Sequence, residues 1–509
     1  MATAWESQIS SLNPAVWVKF DSTGTPTNAG SNGATISLGS GTGATTSVSA
    51  LSNSGYTFNT ADNTRYDFSS FAANTLSDKT YTIEAIVKVL PSTGSTYQTI
   101  FRADSGNNSI ILRVQGASLG SGGKLEGYLC GNAGTGVNFY SSNRIDDGAY
   151  HHVALVADGT NYYLYVDGFR HATGTYPAGT LNMDTAGSRS ISNAPGEISN
   201  LMTIDELVIH NSALSTTQIY NNVKTVLPTK AELARIGGYS TTRPVAYFSG
   251  DESINNTTLY NTGSSGSSNY TITTSSSMSK TSSGGPSTTT WGYYGNTPSG
   301  SSTGWPSGNI TNFTFAWWYK RVGNPASTLI WSPNYYNSSS DNIDPSSGTG
   351  WQINTNGTIT VRARFAGTTV VLTSTSSICT NTWKHVAFVR NGANYYLYIN
   401  GTQEATTTGA SGTSGGATMY YPYTDNTGVA QAHDEFMFYP AAISGADISS
   451  LYTAGLGATD VTISSPGTMN VTTATLPDPV TTTTKTVNYS HTVSTASADI
   501  VMPAISITK

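Results

Sequence analysis

Apolar and polar positions along the chain alternate in short runs broken by glycine, asparagine and aspartate. The run Val153 to Ala157, the turn Asp158-GTN and the run Tyr162 to Val166 form the clearest example, and a Gly-containing loop between two such runs predicts a β-hairpin. Because side chains alternate along a strand, Tyr162, Leu164 and Val166 share one face, and Tyr163, Tyr165 and Asp167 share the other. Both faces carry large side chains, which suits inner strands of a sandwich. Helical periodicity is confined to short stretches. Ser215-TTQ and Ser444-GAD place a capping serine three residues before Gln218 and Asp447, so each predicts one short helix after a strand.

The same pattern occurs twice. Tyr150-HHVALVADGTNYYLYVDG-Phe169 returns as Trp383-KHVAFVRNGANYYLYING-Thr402 without a gap: His152 to His385 and Asn161 to Asn394 both differ by 233. The late strand around Asp205 and Glu206 matches that around Asp434 and Glu435 at an offset of 229, a net four-residue loop difference. Upstream, Pro14-AVWVKFDSTG resembles Pro244-VAYFSGDES, and Tyr81-TIEAIVKV resembles Phe313-TFAWWYKR. The predicted division is a unit at 1–227, a linker at 228–242, a second unit at 243–458 and a β-rich segment at 459–509. The linker carries Pro228-TKAELARIGG, read as a short helical or extended connector. The terminal segment alternates in Val487-NYSHTV and Ile500-VMPAISIT. Strands so few do not stand alone, so the segment is expected to pair with another subunit or anchor the chain.

These residues resemble the laminin G-like, concanavalin A-like jelly rolls. An aromatic followed by His-Val-Ala, a hairpin ending in Tyr-Val-Asp-Gly, and a late Asp-Glu strand followed by Leu-Ser are present in Tyr150, His152 to Ala154, Tyr165 to Gly168, Asp205, Glu206 and Leu214, and again in the second copy. The resemblance implies an all-β fold of two tandem β-sandwiches. It leaves function open, since this fold carries lectins, adhesion modules, glycanases and spacers.

Composition narrows the function. Only 10% of the 509 residues are charged and the net charge is −6, with no Lys/Arg block, so nucleic-acid binding is not expected. No segment reaches the roughly 18 apolar residues of a membrane span, so membrane insertion is not expected either. Cys130 and Cys379 stand at non-equivalent places in the repeats and read as buried thiols, not a disulfide framework. A Ser/Thr/Gly-rich, weakly charged chain without a recognisable leader fits a virion surface protein of a bacterial virus, in a tail, fibre or capsid decoration, made in the host cytoplasm. Its expected partners are other virion proteins, further copies of itself and a host-surface glycan. The alternatives are a carbohydrate-binding cellular adhesin, a structural spacer and a glycoside hydrolase.

No residue set announces catalysis. A retaining glycosidase needs two carboxylates about 5 Å apart on one face. The repeated pairs Asp205/Glu206 and Asp434/Glu435 are adjacent, and neighbours in a regular strand point to opposite faces. His151 faces Lys384 in the alignment, so only His152 and His385 repeat, which favours packed histidines over zinc ligands. Gly39-SGTG lacks a following Lys-Ser/Thr and is a turn. No cofactor is expected. The resemblance implies calcium in many relatives, with Asp21 and Asp251 as candidate ligands, although no Asp-rich loop of recognisable spacing supports them. Sugars stack on exposed rings, and the loop aromatics Trp291-GYYG, Trp331-SPNYYN and Met419-YYPYTDN lie in the second unit. Among them Tyr420, Tyr421 and Tyr423 are the candidate glycan contacts.

Overall fold

The computed structural model describes most of residues 3–456; the longer stretches outside it are 193–201, 239–243, 250–257, 264–271, 282–291, 303–310, 332–347, 411–418, 421–430 and everything beyond 456. The predicted terminal segment 459–509 lies outside the described residues.

In the first unit the long strand Thr80–Val89 is the spine of a nine-stranded antiparallel sheet, paired with Tyr150–Asp158 on one side and Met202–His210 on the other. A seven-stranded sheet lies opposite, built around Tyr97–Ser105, Asn108–Gln115, Lys124–Cys130 and Gly136–Arg144. One continuous apolar cluster fills the space between, including Ile83, Ala85, Val87, Phe101, Leu112, Leu125, Leu155 and Leu164. The alternation of the hairpin holds: Tyr162, Leu164 and Val166 enter this core, while Tyr165 packs on the other side of the sheet. The next turn carries Asp167 at φ 52° and Gly168 at φ 83°, and its repeat carries Asn400 at 51° and Gly401 at 74°. Two successive positive φ values are what a type I′ hairpin turn requires, and they explain the Asp-Gly and Asn-Gly pairs.

The outer side of the nine-stranded sheet is roofed by helices α1 (Ala4–Ser11) and α2 (Thr216–Lys224) over Trp5, Trp17, Ile86, Val156 and Val208. Helix α1 starts with a capping box, Thr3 accepting from the Glu6 amide and Glu6 from the Thr3 amide. Ser215 caps α2 in the same way, as its sequence predicts.

The second unit repeats the plan. Asn312–Arg321 is flanked by Lys384–Asn391 and Gln431–Tyr439 in an eight-stranded sheet, facing a four-stranded sheet of Leu329–Trp331, Gly348–Ile353, Thr358–Phe365 and Thr368–Ser377.

The connector is helix α3 (Pro228–Ile236), with proline at its first turn where a missing amide costs nothing. It is packed on both sides. Lys230 donates to the Tyr150 carbonyl (2.9 Å) and pairs with Asp167 (3.4 Å) in the first unit, and Tyr220 donates to Glu232 (2.6 Å). Leu233 and Ala234 share a core with Phe169 of the first unit and Tyr247, Tyr398, Met437 and Tyr439 of the second. The second unit's α4 (Gly445–Gly455), capped by Ser444, adds Asp447, whose carboxylate receives Arg235 at 2.8 Å.

Candidate functional site

Among the described residues no helix or apolar cluster covers the outer face of the seven-stranded sheet. The registers of its strands align two rows of outward side chains across it. One row runs Thr99, Arg113, Glu126, Tyr140; the next runs Ser37, Asp67, Ser190, Arg102, Ile111, Tyr128, Asn138. The rows are tied internally. Glu126 receives Arg113 through Nε (2.9 Å) and Nη2 (3.1 Å), and Gln115 Nε2 (3.0 Å). Charge-assisted bonds of this kind hold a guanidinium in one plane. That plane lies 3.5 Å from the centre of the Tyr97 ring. Arg102 bonds Asp104, which also accepts from Ser109 (2.5 Å). Tyr97, Tyr128 and Tyr140 stand half-buried around this polar strip, and burial followed by the nearby Glu126 charge raises the Tyr140 phenol. Three rings beside fixed donors and acceptors make a surface suited to a ligand with apolar faces and a hydroxylated rim.

The second unit differs here. The corresponding rows of its four-stranded sheet are Ile330, Gln352, Thr360, Thr373 and Gly350, Arg362, Val371, with no aromatic in either.

A second constellation sits on the opposite sheet. The sequence expectation that Asp205 and Glu206 diverge is corrected by the structure: the register slips between Ile204 and Glu206, so Asp205 is the extra residue of a β-bulge. Ile204 and Leu207 both face the interior core, which leaves both carboxylates on the outer side under α1. Asp205 Oδ2 accepts the Ser52 amide (2.7 Å) and Glu206 Oε2 accepts Trp17 Nε1 (2.7 Å). Burial first, then the remaining charges around it, pushes Asp205 up to about 8; burial and then Asp205 raise Glu206. Glu6 and Asp21 complete the group. One oxygen each of Glu6, Asp21 and Glu206 lies within 4.8 Å of the others. Both bulge residues are 0% exposed, so no glycosidic bond can reach them and the bulge does not make a glycosidase. The oxygen-only donor set and the unpartnered Asp205 Oδ1 and Glu206 Oε1 fit the calcium that the resemblance implies. Asp251, the other candidate ligand, lies outside the described residues.

A family model described as the concanavalin A-like lectin/glucanases superfamily matches residues 62–220 and 294–449, more than half of the chain. The chain belongs to this superfamily. No curated protein matches it. Among solved structures it is similar to domain 4 of a GH43 extracellular arabinanase from Geobacillus stearothermophilus in complex with arabinotriose, at 16% identity and TM-score 0.34 over 42% of this chain and 98% of that one. It is also similar to the binding domain of Paraclostridial Mosquitocidal Protein 1 (9% identity, TM-score 0.39, 81% and 92% covered). A third likeness is to the botulinum neurotoxin serotype D binding domain (10% identity, TM-score 0.35, 74% and 86% covered). None of these likenesses carries a functional argument.

Within this lectin/glucanase framework the sequence-predicted residues fall as follows. Tyr420 belongs to the two-residue strand Met419–Tyr420, paired with Ser301 and Ser302; Tyr421 and Tyr423 lie outside the described residues. The structure therefore does not test that triad. His152 is buried and bonded to Glu84 (2.9 Å), and His385 is buried against Trp318, so both are packed histidines. His151 is held by Asp167 (2.8 Å) and Asp147 (3.1 Å) at the α3 junction, not by a metal set. Cys130 and Cys379 are free and buried. Glu6, Tyr97, Arg113 and Glu126 were not singled out from sequence. Glu6 had a signal in the Thr3-x-x-Glu6 capping box; Arg113 and Glu126 share a row, with Tyr97 beside it, only through the pairing of separate strands.

Proposed function

We propose that the chain is a non-catalytic carbohydrate-binding protein whose first unit takes a neutral glycan on the open face of the seven-stranded sheet. The observation that carries this is the group of half-buried rings Tyr97, Tyr128 and Tyr140, held around the largely buried Arg113–Glu126–Gln115 strip. The rings offer stacking area, and the bonds of the strip beside them hold that area in one geometry. Among the described residues the second unit's four-stranded sheet has no such group of rings, so the two units need not bind the same thing. Exposure on a virion surface, with host attachment as the purpose, is part of the same proposal. The low-charge, Ser/Thr/Gly-rich composition supports an adhesive surface role.

Binding to a panel of immobilised bacterial-wall polysaccharides tests it. The full chain is expected to bind at least one, with Tyr128→Ala lowering affinity at least about tenfold, as the loss of one stacked ring of 1.5 kcal/mol or so implies. Release of reducing ends from the bound polysaccharide would replace the reading with hydrolysis. Unchanged binding in Tyr97→Ala, Tyr128→Ala and Tyr140→Ala alike would move the site elsewhere, and binding to no polysaccharide would favour a spacer.

A further inference from the structure

The seven-stranded sheet of the first unit and the four-stranded sheet of the second share one register and carry different chemistry on their outer faces. The Leu125 amide donates to Ser141 Oγ and the Ile359 amide to Ser374 Oγ, each at 3.0 Å, and this common bond sets residue against residue. By the strand pairings on either side of it, Arg113 corresponds to Gln352, Glu126 to Thr360, Tyr128 to Arg362 and Cys130 to Arg364. At these positions the second unit loses a carboxylate and gains two guanidiniums where the first has a ring and a thiol. On the first unit's face Arg65, Arg102 and Arg113 each meet a carboxylate, from Asp67, Asp104 and Glu126. On the second unit's face the described rows through Arg364 and Arg362 run from Gly348 to Thr369 and from Gly350 to Val371, and neither contains Asp or Glu. Glu404 meets this sheet at Thr375 and Ser376, beyond the row of Thr360 and Thr373.

Arg362 and Arg364 point the same way, since Val361 and Ala363, the alternate positions of their strand, enter the core. Two positions apart on one strand, they stand about 7 Å from each other. Opposite each of them the neighbouring strand has a glycine, Gly350 and Gly348, so its backbone is bare beside both guanidiniums. Glycines inside a strand mark places where a ligand comes close to the main chain. On the other side Thr369 and Val371 are exposed, offering a hydroxyl and an apolar contact.

We propose that this face binds a linear polyanion, a polysaccharide or polyol chain bearing carboxylate or phosphate groups, laid over the bare strand with successive anionic groups on Arg362 and Arg364. A guanidinium holds its charge at every physiological pH and meets carboxylate or phosphate through paired N–H donors. The carbon skeleton of the chain rests on Val371. This site is separate from the neutral-glycan face of the first unit and differs from it in ligand class.

Binding of the full chain to poly(glycerol phosphate) and to polygalacturonate, measured by interferometry at low and at high NaCl, tests the proposal and distinguishes phosphate from carboxylate. At least one of the two is expected to bind at low salt, with affinity falling as NaCl screens the charges. Changing Arg362→Gln and Arg364→Gln together should lower that affinity at least about tenfold, the loss expected of one charge-assisted hydrogen bond. Tyr128→Ala, on the other unit, should leave it unchanged. Val371→Glu keeps both arginines, lies at a position 51% exposed and puts a carboxylate in the Arg362 row, so it should weaken binding whether or not the double variant folds. Binding of neither polymer at low salt would overturn the proposal. So would binding that Val371→Glu and a folded double variant both leave intact, or that Tyr128→Ala abolishes.

Discussion

Glu84 and His152 bond at 2.9 Å beneath the roof of the first unit, and in the second unit the matching pair is Ala316 and His385, where among the described residues no carboxylate meets the histidine. Glu84 also accepts His210 Nε2 (2.7 Å) and both hydrogens of Asn222 (3.1 and 3.0 Å). The second unit has Tyr439 and Leu451 where the first has His210 and Asn222. The same layer is a closed polar network in one copy and an aromatic one in the other. A buried carboxylate with three donors is strongly destabilising to remove, because its partners stay behind.

Glu84→Ala is therefore expected to destabilise the first unit by about 3–5 kcal/mol. Burial alone would raise the Glu84 carboxyl, but hydrogen bonds from His152 and His210 hold it below the usual range. A depressed folded pKa gives stability that is present above the unfolded value, about 4.3, and is lost as pH falls below it. Urea denaturation at pH 7 and pH 3.5 checks both statements: the cost of Glu84→Ala should shrink at the lower pH.

His385 makes the opposite environment measurable. Burial lowers its pKa to about 3, as it does for His433. The folded state refuses a proton that the unfolded chain takes near 6.5, so the second unit should lose stability as pH falls from 6.5 towards 3. The slope for each histidine is up to about 1.4 kcal/mol per pH unit. Calorimetry between pH 7 and pH 4 should show the second unit's transition falling faster than the first's, and His385→Phe should flatten the dependence. An equal fall in the variant would contradict it.

His151 predicts an arm on the alkaline side. Burial lowers it, but Asp167 foremost, then Asp147, carry it up to about 9 against the nearby Lys230 charge. Its folded pKa is raised, so its contribution is complete below about 6.5 and is lost as pH rises through 9. His151→Gln should leave stability at pH 9.5 nearly unchanged relative to the native chain and lower it at pH 6.5.

Leu233 is fully buried where the two units and α3 meet. Leu233→Ala should cost about 2–5 kcal/mol and separate the melting of the two units. Differential scanning calorimetry reads this directly: two resolved peaks are expected where the native chain gives transitions that overlap.

The thiols offer a simple control. Cys379 is pushed up to about 11 by burial, and Cys130 is buried as well. Neither should react with a thiol reagent at pH 8 until the chain is unfolded, when both should react. Fast reaction of the native chain would mean that one unit opens locally.

Much of the architecture was legible because it is written in local periods. Alternation gives the hairpin at Tyr162 to Val166, the Asp-Gly pair gives its turn, and Ser215 and Ser444 give the helices that follow the last strands. Helix α1 is not predicted from the sequence: Thr3 and Glu6 carry a capping-box signal, but its eight residues have too short an apolar period to stand out. The bulge at Asp205 is different in kind. Alternation assigns Asp205 and Glu206 to opposite faces, and only the slip in pairing with Val87 and Ile86 brings them to one. The row from Thr99 to Tyr140 is harder still, since its register is set by three separate strand pairings that no single stretch of sequence encodes.

Helix α3 touches both units along its length, through Lys230 and Glu232 on one side and Leu233 and Arg235 on the other. Separating the two sandwiches therefore means breaking an apolar seam and ion pairs together, not straightening a slack tether. Under tension such a junction is expected to act as a latch that holds its geometry and then yields in one step, because its apolar and ionic contacts share one short helix. A ligand held on the first sandwich would thus keep a fixed direction relative to the second.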